Sequence, residues 1–217
     1  MSMSDLSCRV MEHAEGLPEA TPLSPDALCH LGNPNAVDEE LQRLTQSGRL
    51  MRICEGVYMR PIETRFGLRA PRVSKALKTL AALWSETIVP CGGAVANCLG
   101  LTTQNPVREV YLTSGPDRRL HFGSPVVALR HAPSWQLAAP HRKAGDVIRA
   151  LEWLGPEEAE DGLKAVLPTL SKADRRELAD IQAAAATVPR FAVEQVTPAL
   201  SRRMVVEQPT SARLAHG

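Results

Sequence analysis

Residues Ser24 to Pro61, SPDALCHLGNPNAVDEELQRLTQSGRLMRICEGVYMRP, constrain the fold more than any other stretch of the chain. Ser24 suits an N-cap and Pro25 the first helical position, which predicts a short helix over Pro25–Leu31 that ends at Gly32. Asn33 and Pro34 repeat the same signal. The helix they start carries Val37, Leu41 and Leu44 as one apolar stripe and stops at Ser47-Gly48. Two β-rich runs follow, Leu50–Ile53 and Val57–Met59, joined by the turn residues Glu55-Gly56. Helix, tight turn, helix, hairpin is the order of a winged helix-turn-helix, with residues 4–14 as a first helix packed across the pair.

At about 100° per residue the second helix divides into two faces. Val37, Leu41 and Leu44 turn inward; Asn35, Glu39, Gln42 and Gln46 lie opposite, with Arg43 beside them. Asn and Gln can pair with adenine in the major groove, and Glu can accept from cytosine. The five residues are therefore candidates for reading bases, with a plain solvated helix face as the alternative. Asp38, Glu39 and Glu40 put acid on the same helix, which phosphates repel.

Charge distribution says more than the net value of +1. Residues 1–60 hold 5 Lys/Arg and 9 Asp/Glu, whereas residues 61–150 hold 12 and 5. The basic excess begins just after the wing, where residues 60–78 carry Arg60, Arg65, Arg69, Arg72, Lys75 and Lys78 against Glu63. Gly67 and Pro71 predict a loop there, and a helix from Pro71 onward buries Val73, Leu77, Leu80 and Leu83 or Trp84. The strip reads either as a phosphate contact or as a solvated linker, and not as a single-strand binding surface.

Residues 87–101 predict a short strand, a Gly-rich turn and a small-residue helix. Gly92-Gly93 matches no P-loop or dinucleotide pattern and reads as a site of close packing. Residues 107–131 predict three short strands in an antiparallel meander. His121 and His131 on it read as surface or packed side chains, because Ser114, Asp117 and Ser124 form no recognisable nucleophile site with them. Beyond lie amphipathic helices over Ala144–Leu154, Glu158–Leu167 and Lys172–Ala186, the last capped by a Ser171–Asp174 box, and a short helical piece over Val188–Leu200. Cys8, Cys29, Cys54, Cys91 and Cys98 form no CxxC pair and read as reduced, mostly buried thiols. No metal site, cofactor or catalytic residue is expected. The polar, acidic N-terminus and the lack of a long apolar run predict a cytoplasmic protein with no membrane partner.

The runs LGNPNAVDEELQRLTQSGRLMRICEGVYMRP, ETIVPCGGAVANCLGLTTQNPVREVYLTSGPDRRLHFG and VVALRHAP together resemble the AbiEi-like antitoxins and transcriptional regulators of type IV toxin–antitoxin systems, over residues 24–155. The resemblance implies a non-enzymatic repressor that binds the double-stranded DNA of its own promoter. It also implies a C-terminal antitoxin domain that counters a nucleotidyltransferase-like toxin without a stable complex. By position it makes Asn33–Gln46 the recognition helix and Arg52–Arg60 the wing. Asn33, Arg52, Arg60, Arg65 and Arg69 are then the candidate phosphate contacts.

The expected architecture is thus α+β: a winged helix-turn-helix over residues 1–62, a mixed α/β antitoxin domain over 63–155, a helical extension over 156–201 and a disordered tail over 202–217. Two rival classes stay open. One is a protein-interaction module that docks through the acidic helix and grips its partner directly, without reading DNA. The other is an enzyme acting on nucleic acid or nucleotides through Asp117 or His131, which the absence of clustered carboxylates, a metal motif or a phosphate loop disfavours.

Overall fold

The computed structural model describes residues 5–104 and 108–183, and the expected helical piece over Val188–Leu200 and the tail from 202 lie outside them. The fold class is α+β. The chain forms two compact units, one of residues 1–88 and 107–132, the other of residues 89–106 and 133–217.

In the first unit, α1 (Asp5–Glu15) buries Val10 and Met11, and α2 (Pro34–Gln46) buries Val37, Leu41 and Leu44. These side chains form one cluster with Leu23, Leu28, Leu50 and Tyr58. Each large aliphatic side chain so buried contributes about 2 kcal/mol. The segment between the helices departs from expectation. Pro25–Leu31 is not an α-helix but a turn that runs into a 3-10 helix over Cys29–Leu31. Ser24 still caps it, its Oγ accepting from Ala27 N–H at 3.2 Å. With seven residues between Ser24 and Gly32, the segment is too short to offset the cost of nucleating an α-helix.

A hairpin follows as foreseen, β1 (Met51–Cys54) against β2 (Val57–Met59), with a register shift between Arg52 and Cys54 and Gly56 at φ +68° in the turn. Next comes an element that the sequence reading assigned to a loop. Residues Ile62–Thr64 (β3) and Gly67–Arg69 (β4) form a second antiparallel hairpin. Thr64 Oγ1 accepts from Phe66 N–H at 3.2 Å and donates to the Gly67 carbonyl at 2.8 Å, which fixes the turn. The helix α3 (Val73–Trp84) then buries Leu77 and Leu80, with Val73 and Trp84 partly covered and Leu83 exposed.

The remaining strands are β5 (Ile88–Pro90), β6 (Glu109–Thr113), β7 (Arg118–His121) and β8 (Val126–His131), in the sheet order β5-β6-β8-β7. The expected antiparallel meander is therefore not formed. The strand β8 lies between its predecessors, parallel to β6 and antiparallel to β7. The cause lies in the turn after β6. Asp117 accepts from His131 N–H at 2.7 Å and from Arg130 at 3.0 Å, so the turn fastens onto the end of β8 instead of folding β7 back on β6. Leu120, Phe122, Val127 and Leu129 meet Ile53, Met59, Leu77 and Leu80 in a second cluster of this unit.

In the second unit, α4 (Gly92–Cys98) packs on α5 (Lys143–Val166). A Cβ at Gly92 would fall on the Arg149 carbonyl oxygen and the Trp153 side chain, so the two glycines serve close packing as expected. They stand inside the helix and not in a turn before it. Gly155, at φ +79°, breaks α5 into two helical segments ahead of Pro156. The helix α6 (Lys172–Ala183) opens with a capping box: Ser171 N–H donates to Asp174 at 3.1 Å, and Asp174 N–H donates back to Ser171 Oγ at 3.1 Å.

Candidate nucleic-acid interface

The helix α2 starts where its sequence dictates. Asn33 Oδ1 accepts from Asn35 N–H at 3.0 Å and Pro34 follows at the first helical position. That bond commits the Asn33 oxygen to capping and leaves only its amide donors for a phosphate. Asn35, Glu39, Gln42, Arg43 and Gln46 are all exposed, opposite the buried Val37, Leu41 and Leu44. The structure therefore brings the five base-reading candidates together on one helix.

Several of them are already held. Gln42 Nε2 donates to Asp38 Oδ2 at 2.8 Å, and Arg43 pairs with Glu40 Oε2 at 3.0 Å. Tyr58, buried on β2, donates its hydroxyl to Asp38 Oδ1 at 3.3 Å. Burial, followed by the neighbouring Asp38 charge, pushes the Tyr58 phenol above its ordinary pKa. Two of the three acids on α2 are thus engaged within the protein: Asp38 ties the helix to the hairpin and Glu40 is buried at its root. Glu39 is left as the exposed acid of the three. The spacing i, i+3 and i, i+4 announces the helical pairs; the Asp38–Tyr58 bond spans twenty residues and leaves no mark in the sequence.

The phosphate candidates do not form one strip. Arg52 is exposed on β1 and Arg60 is half-buried after β2. Arg65 stands at the tip of the second hairpin with its guanidinium 4.6 Å from the centre of the Phe66 ring. Arg69 donates to the Ala70 carbonyl at 2.9 Å and lies 3.7 Å from Glu19. Glu19 also takes Lys75 at 3.2 Å, and that bond first, helped by the Arg72 N–H, holds its carboxyl below the ordinary range. Arg69 is consequently clamped, whereas Arg65 projects.

Sequence reasoning missed a cluster around Glu86. Arg118 reaches both oxygens of Glu86 at 2.8 Å, Thr113 donates to Glu86 at 2.9 Å, and the guanidinium stacks 4.3 Å from the Trp84 ring. Its members come from two separate stretches, Trp84 with Glu86 and Thr113 with Arg118, so no local pattern announces it. The neighbouring His131 turns its Nδ1 to the Gly115 carbonyl at 2.9 Å, and Asp117 meets His131 through the backbone N–H, not through the ring. That N–H, and then Arg130, hold the Asp117 carboxyl below its usual range. The pair is built to fasten a turn. The cysteines are not mostly buried as expected: Cys8, Cys29 and Cys98 are exposed, and Cys54 and Cys91 are partly covered. No group of three or more metal-ligating side chains occurs among the described residues, and none of their helices is long and apolar enough to cross a membrane.

No curated protein matches this chain. Among solved structures it is similar to the RV2827C protein from Mycobacterium tuberculosis, at 13% identity and a TM-score of 0.41, over 100% of this chain and 88% of that one. The model of a family of unknown function, DUF6088, matches residues 9–178, and the chain belongs to that family.

Proposed function

We propose that this protein is a non-enzymatic, cytoplasmic, DNA-binding transcriptional regulator that represses its own promoter through a winged helix-turn-helix. The observation that carries the reading is the exposed face of α2, where Asn35, Glu39, Gln42, Arg43 and Gln46 stand opposite a buried stripe, with a capped turn before the helix and a hairpin after it. In this reading Gln42 and Arg43 exchange their intrahelical partners for base edges, and Arg52, Arg60 and Arg65 hold phosphates. Asp38 keeps its bond to Tyr58 in this reading, and the charges of Asp38, Glu39 and Glu40 still weigh against phosphate contact. The resemblance of residues 24–155 adds the role of antitoxin in a type IV system, opposing a nucleotidyltransferase-like toxin.

The test is an anisotropy titration of the full chain against the duplex upstream of its own gene, with a scrambled duplex as control, at several salt concentrations. Preference for the upstream duplex by at least about a hundredfold, with affinity falling steeply with salt, is the expected result. Gln42→Ala should lose roughly tenfold of that preference while leaving the salt slope intact. Equal, weak binding to both duplexes would overturn the reading. Rescue from a neighbouring nucleotidyltransferase by co-expression tests the antitoxin role separately.

A further inference from the structure

The second hairpin ends in apolar side chains that its own chain does not cover. Phe66 is 85% exposed and Leu68 is 61% exposed. A loose loop could bring such residues to the surface by chance. This one is an ordered turn, with Thr64 bonded to both Phe66 N–H and the Gly67 carbonyl, so Phe66 is held outward by a paired backbone. The surroundings are cationic. Residues 60–78 carry six Lys/Arg against Glu63, and Glu19 offsets part of that charge by binding Arg69 and Lys75. Arg65 lies over the Phe66 ring itself.

An exposed aromatic tip with the aliphatic Leu68 two residues on and Arg65 over its ring suits a polyanion with an apolar interior. Duplex DNA presents phosphates outside and an apolar stack within. We infer that the β3–β4 hairpin is a second DNA contact, distinct from α2: Phe66 inserts between neighbouring base pairs with Leu68 against the sugars, while Arg65 moves from the ring to a flanking phosphate. The wedge unstacks one step and kinks the duplex. This inference rests on the proposed DNA-binding function, but it uses residues that base reading by α2 does not.

The experiment uses the full chain and the duplex upstream of its own gene. 2-Aminopurine is placed singly at successive steps, and a second duplex carries a donor and an acceptor dye at its ends. The expected result is a several-fold rise in 2-aminopurine emission at one step, together with a shortened end-to-end distance. Phe66→Ala should abolish both signals and weaken binding about tenfold or more with the salt slope unchanged. Phe66→Leu should retain part of each. Because Phe66 is exposed, far-UV circular dichroism should be identical in all three proteins. If the wild type binds the duplex and Phe66→Ala leaves emission and bend unaltered, the wedge is overturned while the reading of α2 stands. If the wild type binds no duplex at any salt concentration, both fall. Phe66-dependent binding to phosphatidylserine vesicles without duplex binding would reassign the tip to an anionic membrane surface and also overturn the inference.

Discussion

Gly92 is the position where a single methyl group should matter most. A Cβ there meets the backbone oxygen of Arg149, which cannot step aside as a flexible side chain can. Gly92→Ala should destabilise the second unit by about 1–3 kcal/mol, seen as a lowered midpoint in urea. The Gly92-Gly93 pair was readable as a close-packing site because it matches no phosphate-binding pattern. Its partner was not readable, since Trp153 lies sixty residues away in an ordinary amphipathic run. The same holds for Arg149, buried at 1% exposure, where its guanidinium meets Asp146 and the Gln136 carbonyl. Helical phase alone puts Arg149 on a helix; only the packed fold shows that it points inward. Asp38 is the converse case: its bond to Gln42 follows from spacing, its bond to Tyr58 does not.

Elements whose ends carry chemistry were legible, and those set by pairing were not. The helix α2 is announced by Asn33-Pro34 and by its apolar stripe, and the first hairpin by Glu55-Gly56. The second hairpin has strands of three residues each and a turn of ordinary composition before Gly67, too short for alternation to show. The cap of α6 was legible in full, and it gives a prediction. The Ser171 hydroxyl, more than any other group, holds the Asp174 carboxyl below its ordinary range. A carboxyl depressed in the folded state stabilises above its unfolded pKa and loses that contribution as pH falls through the folded value. Amide exchange in the first turn of α6 should therefore accelerate on acidification below the ordinary aspartate range. Ser171→Ala should cost about 1 kcal/mol at neutral pH and remove most of that acid dependence.

The compact units do not follow sequence order. The chain leaves the first unit after Ile88, returns at Val107 and leaves again after Ala132. Sequence reading cuts chains at linkers and changes of composition, so it divides a chain into consecutive blocks and has no means to see this return. The core around Ile53, Val57 and Met59 is completed by Leu120, Phe122, Val127 and Leu129. Removing four large apolar partners withdraws about 8 kcal/mol, comparable with the whole stability of a small domain. Residues 1–88 expressed alone should accordingly show no cooperative thermal transition, whereas the full chain should show one. A sharp transition in the fragment would mean that the α1–α2–hairpin cluster is self-sufficient.

The interleaving also sets a clock on biosynthesis. The first hairpin emerges from the ribosome long before the strands that cover it, and at cellular elongation rates the gap between Met59 and Leu129 is about ten seconds. For that interval Leu50 and Tyr58 already have α1 and α2 to pack against, while Ile53, Val57 and Met59 lack the strands that complete their cluster. The N-terminal region therefore matures late, after most of the polypeptide has been made, and its yield in a cell should depend on chaperones that bind during translation.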